Sequence, residues 1–231
     1  IDPDGITSAR IATLTNFYDE ASVQFTPWFT FGVEGLEPPY NFDHLLCLDI
    51  GSDEKTIAKL EELAEERTVV LMDHHPPVFN LRDRQSPSLR MVNDQSHCTA
   101  SLAYKTFEHL GDFKNEYWAQ VWAIVGIYGD VAKEKKGARE VLLKLQAQHP
   151  SLVSQLDENR NWMNQPAGMI ARAMNMVRRL TYHYGAEICY RALIEAEKAN
   201  VPFILIRDFP YKDWPKYPHV ALMRSIIADF R

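Results

Sequence analysis

The sequence predicts an α/β fold: a parallel β-sheet flanked by helices, followed by a mostly helical segment. Short apolar runs that suit strands buried on both faces occur at residues 44–50 (HLLCLDI), 68–73 (TVVLMD) and 89–93 (LRMVN). Stretches with helical spacing separate them up to about residue 132, the alternation of a parallel sheet with crossover helices. Beyond Gly137 helical spacing dominates.

Taken in order, residues 6–18 have helical spacing after Gly5, 21–31 read as a strand running into a loop, and 36–43 read as loop. The run 44–50 is the first of the buried strands. Residues 52–67 form an amphipathic helix, with Ser52 as the expected N-cap and acids in the first turn. The strand 68–73 follows directly, and 89–93 is the third. Residues 98–111 read as a helix closed by Gly111, and 116–132 as a strongly apolar helix. Helical patterns then cover 138–148, 151–158, 165–181 and 184–199. Asn200-Val201-Pro202 breaks the last of these, 201–209 reads as a strand, and 218–230 as a helix. Neither an internal repeat nor a low-complexity segment is present.

A chain of 231 residues suits one generous domain or one and a half, and 46% hydrophobic residues supply a sizeable core. The net charge of −6 excludes a strongly basic nucleic-acid binder; contact with nucleic acid would need a local basic patch or bound cations. Cys47, Cys98 and Cys189 form neither a CxxC pair nor an even disulfide framework, so a reducing cytoplasm is expected. No apolar run approaches the roughly 18 residues of a membrane span, no signal peptide is expected, and no membrane partner is expected.

The chemistry sits where strands end. Asp2 and Asp4 precede Gly5 and the first helix, Asp49 ends HLLCLDI, Asp73, His74 and His75 end TVVLMDHH, and Asp130 follows the apolar helix in GIYGDVA. In an open parallel sheet, ligands bind at the carboxyl ends of the strands. Each piece alone fits a structural role: Asp-Pro-Asp-Gly as a turn with an N-cap, Asp49 as a solvated strand end, a histidine as a satisfied core residue, Asp130 as a helix-terminal acid. Together they form a costly set, because clustered carboxylates repel one another unless cations lie among them. Carboxylates with imidazole suit Mn²⁺, Mg²⁺ or a similar ion rather than a closed zinc site. Asp73 is expected to orient His74 and fix its tautomer.

The ordered set DPDGITSA, LDIGSD, MDHHPP and GIYGDV resembles the DHH phosphoesterase family, and within it the RecJ-like single-strand nucleases of the archaeal type, over residues 1 to about 132. The resemblance implies two divalent metal ions, Mn²⁺ as the expected metal with Mg²⁺ as the alternative, and hydrolysis of a phosphodiester by a metal-activated water. It implies that Asp2 holds the first ion, that Asp4 and His74 hold the second, that Asp49 bridges them, that Asp130 completes the site, and that His75 faces the substrate phosphate. Asp73 and His75 are thus the candidate catalytic pair. The family pattern opens with a histidine two residues before its first aspartate, a position that would precede Ile1. It also includes a C-terminal domain with a Gly-Gly-His motif, whereas this chain has no adjacent glycines.

The expected organisation is therefore a catalytic domain over 1–135 without its first strand, a helical part over 136–200, and a connector or the start of a truncated substrate domain over 201–231. Candidate substrate contacts are Asn175 and Arg179, in register with an Asn-x-x-x-Arg segment of RecJ-like nucleases, and His97 and Arg82, with Arg84 and Arg90 nearby. The helix start at His97-Cys98-Thr99 could hold a phosphate oxygen. Trp28, Trp118, Trp122 and Trp162 could stack bases, although the i, i+4 pair Trp118 and Trp122 fits a core better. The function expected is a metal-dependent exonuclease on single-stranded DNA or RNA. The alternatives are a phosphodiesterase for short oligonucleotides or cyclic dinucleotides, a pyrophosphatase, and a catalytically weak scaffold among replication or repair proteins.

Overall fold

The computed structural model describes residues 2–20, 23, 25, 43–153, 165–181 and 185–201, with the side chains of 178–181 outside the description. Strands β1 (His44–Leu48), β2 (Thr68–Asp73) and β3 (Leu89–Asn93) form a parallel sheet in that order. His44 lies beside Thr68, and Asp73 beside Asn93. The predicted α/β class is what the chain adopts. The expected strand 44–50 stops at Leu48 because Asp49 takes a left-handed backbone (φ 58°), which an aspartate tolerates better than most residues.

Helix α1 (Pro3–Thr13) begins before the first hydrophobic repeat. Asp2 caps it by accepting from the amides of Asp4 and Gly5 at 2.8 and 3.2 Å, and Pro3 supplies a preset φ at the first helical position. It ends well short of residue 18. Thr15 pairs with Phe113, and Phe17 and Tyr18 pack on Phe107 instead. Helix α2 (Glu54–Ala64) is capped by Asp53 rather than Ser52, because the Asp53 carboxylate reaches the Thr56 amide at 2.9 Å. Helix α3 (Thr99–Leu110) is closed by Gly111 at φ 69°, and α4 spans Glu116–Gly129. Helices α5 (Lys136–Gln146), α6 (Pro166–Thr181) and α7 (Gly185–Ala199) follow. Residues 151–153 are not helical, and the rest of that expected helix lies outside the described residues. So do the readings at 26–31, 36–42, 202–209 and 218–230, together with Trp28 and Trp162.

The sheet has a core on each face. On one side Ile57, Leu60 and Ala64 of α2 cover Cys47, Val69, Leu71, Leu89 and Met91. On the other, α1, α3 and α4 pack together, and α4 is sheathed further by α5 and α6. This explains why α4 is apolar all round. Trp118 and Trp122 are core, with ring centroids 5.4 Å apart, rather than base-stacking platforms. Helix α1 carries Asp2 and Asp4, and its position is fixed from below. Buried Arg10 forms a two-pronged ion pair with Glu197 of α7 at 2.7 and 2.5 Å and also pairs with Glu20. The indole of Trp122 donates to the same Glu197 at 2.7 Å. Loss of one partner of such a buried pair strands the other, at about 3–5 kcal/mol. Among the described residues, no helix is long and apolar enough to cross a membrane.

Candidate metal centre

Four chain turns converge above the carboxyl end of the sheet. The N-terminus of α1 brings Asp2 and Asp4, the turn after β1 brings Asp49, the end of β2 brings Asp73, His74 and His75, and the end of α4 brings Asp130. Asp4 is wholly buried, and both of its carboxylate oxygens accept from the first turn of α3: the Thr99 amide and the Ala100 amide, each at 2.8 Å. The Thr99 hydroxyl donates to Asp49 at 2.9 Å. The α3 N-terminus thus serves the protein's own carboxylates. This corrects the expectation that it would hold a phosphate oxygen: its dipole and free amides are used up on Asp4.

His74 points Nε2 into this cluster, 3.5 Å from Asp4 Oδ2, 3.5 Å from Asp49 Oδ1 and 3.8 Å from Asp130 Oδ2. Its ring lies against that of His75, with centroids 4.4 Å apart. The donor atoms of Asp49, His74 and His75 lie within 4.8 Å of one another, and so do those of Asp4, His74 and Asp130. The two groups share His74.

Asp73 does not orient His74. Its Oδ1 is 2.7 Å from His75 Nδ1, and its Oδ2 is buried without a hydrogen-bond partner among the described residues. The reason is geometric. Asp73 is the last residue of the strand, and the side chain two residues on returns to its side of the chain, whereas the adjacent one does not. The backbone of His75 is held in turn, its carbonyl accepting from the Asn93 side chain at 2.8 Å. His74 Nδ1 instead meets Lys135 Nζ at 2.7 Å, and Lys135 also donates to Asp130 at 2.8 Å. Sequence reasoning did not find Lys135. It sits in the polar run KEKK, and no periodicity signals its return to the site.

The electrostatics are those of excess negative charge. Burial, then Asp49, pushes the Asp2 carboxyl up to about 6, and the same causes in the same order raise Asp4 well above the ordinary carboxylate range. For Asp49, burial alone would act upward, but the hydrogen bond and charge of His74, with His75 and Thr99, hold it below its ordinary value. The hydrogen bond to Asp73 raises His75 to about 8. Two carboxyls that resist ionisation beside one that stays ionised make a centre whose negative charge favours a cation, and the oxygen and imidazole donors fit a hard or borderline divalent ion.

The remaining candidates are scattered. His97 is 1% exposed, with Nδ1 3.0 Å from the Ser101 hydroxyl and Nε2 3.4 Å from Lys105, and Gly137 of α5 packs against its ring. It is a core histidine rather than a substrate contact, because α5 seals it off. Arg84 is turned away to Glu61 and Glu54. Arg82 is exposed in the short 3-10 turn Leu81–Arg84, and Arg90 is exposed on β3. Asn175 is partly buried on α6, and the Arg179 side chain lies outside the described residues.

A family model described as "DHH family, N-terminal domain" matches residues 1–127, a span that contains Asp2, Asp4, Asp49 and the Asp-His-His triplet and stops short of Asp130. No curated protein and no solved structure matches the chain.

Proposed function

The chain belongs to the DHH family of phosphoesterases, and from that premise we propose that it is a divalent-metal-dependent phosphodiesterase acting on single-stranded nucleic acid, in the manner of RecJ-like exonucleases. The observation that carries the proposal is the convergence of Asp4, Asp49, His74, His75 and Asp130 in two donor groups with a common histidine. Asp2, Asp4, Asp49, His74 and Asp130 would hold two ions, Mn²⁺ in the first place and Mg²⁺ as the alternative. Bound there, such ions polarise a phosphate and lower the pKa of a water.

The protein's own groups do the rest. The α3 amides fix both oxygens of Asp4, so its carboxylate is oriented before any ligand arrives. Thr99 does the same for Asp49. His75 is partly exposed, and Asp73, 2.7 Å from its Nδ1, orients the ring and favours a proton on it, which suits it to donate to a phosphate oxygen. Asp73 acts through His75 as a positioning residue. Arg82, Asn175 and Arg179 are the candidate contacts to the strand beyond the scissile phosphate. The chain as a whole is acidic, with a net charge of −6, so bound cations carry much of the phosphate recognition.

The test is hydrolysis of end-labelled single-stranded DNA and RNA with Mn²⁺ and with chelator. A ladder of mononucleotides that needs metal supports the exonuclease. Turnover of dinucleotides alone would move the substrate to short oligonucleotides, and no hydrolysis of either would leave a scaffold among replication or repair proteins.

A further inference from the structure

We propose that Lys135 is a resident cation of the acidic cluster, contesting His74 and Asp130 with the divalent ion and so setting how tightly the site holds metal. The inference rests on the metal-centre reading above.

An ammonium has three donors and no acceptor. At 2.7 Å from His74 Nδ1, it requires that nitrogen to accept, which leaves the ring proton on Nε2. Nε2 is the nitrogen that faces Asp4, Asp49 and Asp130. A cation held on Nε2 needs the opposite tautomer, with the proton on Nδ1, and that N–H would then point at a second donor. The two arrangements exclude each other. Asp130 is shared rather than blocked: its Oδ2 accepts from Lys135 at 2.8 Å and the residue also belongs to one of the two donor groups, so the ammonium and an ion draw on the same carboxylate charge.

The backbone is bent to allow this contact. Val131 follows Asp130 at φ 56°, a left-handed conformation that is a real outlier for a β-branched residue, of order 1–3 kcal/mol. The 3-10 turn Ala132–Glu134 then carries the chain back, closed by the Lys135 amide on the Ala132 carbonyl at 2.9 Å. Lys135 is also the N-cap of α5, makes no side-chain cap bond there, and is followed by Lys136 with no acid in the first turn. A cation at a helix N-terminus opposes the dipole. Helix stability does not explain Lys135, whereas its two contacts in the cluster do. Its side chain is 31% exposed, so it can withdraw to the rim when an ion is loaded.

The experiment is calorimetric titration of Mn²⁺ into the whole chain and into Lys135→Met, which keeps the aliphatic stem without the charge, and Lys135→Arg, which keeps the charge. The expected result is that Lys135→Met binds Mn²⁺ roughly tenfold more tightly than the parent, the scale of one partly exposed charge contact, while Lys135→Arg stays near the parent. Should Lys135→Met not fold by circular dichroism, Lys135→Gln takes its place. Equal or weaker binding by the neutral variant, with the parent binding normally, would overturn the inference and leave the metal centre standing. No Mn²⁺ binding by the parent would overturn both.

Discussion

Asp2 holds two jobs that pull apart. Its carboxylate caps α1, and burial beside Asp49 makes that same carboxylate hard to ionise. Asparagine caps as well as aspartate but carries no charge. Asp2→Asn should therefore raise the melting temperature of chelated protein at pH 8 by about 2–4 °C while weakening Mn²⁺ binding. A lower melting temperature would show that the cap, not the repulsion, dominates. The pairing of Asp73 with His75 makes a second prediction. In Asp73→Asn, the His75 titration followed by NMR in chelator should fall from about 8 by a unit or more. A midpoint still near 8 would mean that Asp73 is not what holds the proton. At this scale the residue types were legible and the partners were not. The Asp-His-His triplet announces itself, but which histidine Asp73 meets depends on the direction of side chains leaving β2. Lys135 is reached only through the left-handed turn at Val131.

Between elements, the site depends on how closely α4 lies against α1 and α3. A Cβ at Gly126 would come within 2.3 Å of Ala100 Cβ, 2.5 Å of Thr7 Oγ1 and 3.3 Å of Asp4 Oδ1. Gly126→Ala should cost about 1–3 kcal/mol in denaturant unfolding and also weaken Mn²⁺ binding, because the methyl group pushes against the elements that seat Asp4. Gly111→Ala is the contrast. Its Cβ meets open space, so only the left-handed backbone is strained, at about 1 kcal/mol, and metal binding should not change. A Gly126→Ala variant with full metal affinity would show that Asp4 tolerates the shift. The elements themselves were largely written in the sequence: the three described strands, and every described helix from α2 on, follow apolar patterns. The boundaries that moved are those set by caps and backbone. Pro3 and Asp2 start α1 early, Asp53 replaces Ser52, and Asp49 ends β1. The close approach at Gly126 gave no periodic signal, because a glycine in an apolar helix shows only that space is short, not what fills it.

For the whole molecule, the cluster couples metal to pH. Asp2 has a folded value of about 6 against 3.8 for the ordinary group, so its contribution to stability is full below the ordinary value and is lost as pH rises through about 6. Asp4 is raised and acts in the same direction, and His75 loses its contribution as pH rises through about 8. Buried His97 and His149, both lowered, act oppositely: their contribution is lost on acidification. The contributions of His97 and His149 cancel in the difference between metal-loaded and chelated protein. That increment in melting temperature at fixed Mn²⁺ should grow as pH rises through about 6, because protons no longer compete with the ion for Asp2, and the raised Asp4 acts in the same direction. An increment independent of pH from 5 to 8 would place the ion elsewhere.

The assignment of a divalent-cation centre is tested most directly by titrating Mn²⁺ into the parent chain and into His74→Ala, with electron paramagnetic resonance reading the free ion. Because His74 is common to both donor groups, the parent should bind two ions and His74→Ala should lose most of that affinity while keeping its helical circular dichroism. Binding that survives intact in His74→Ala, or none in the parent, would contradict it.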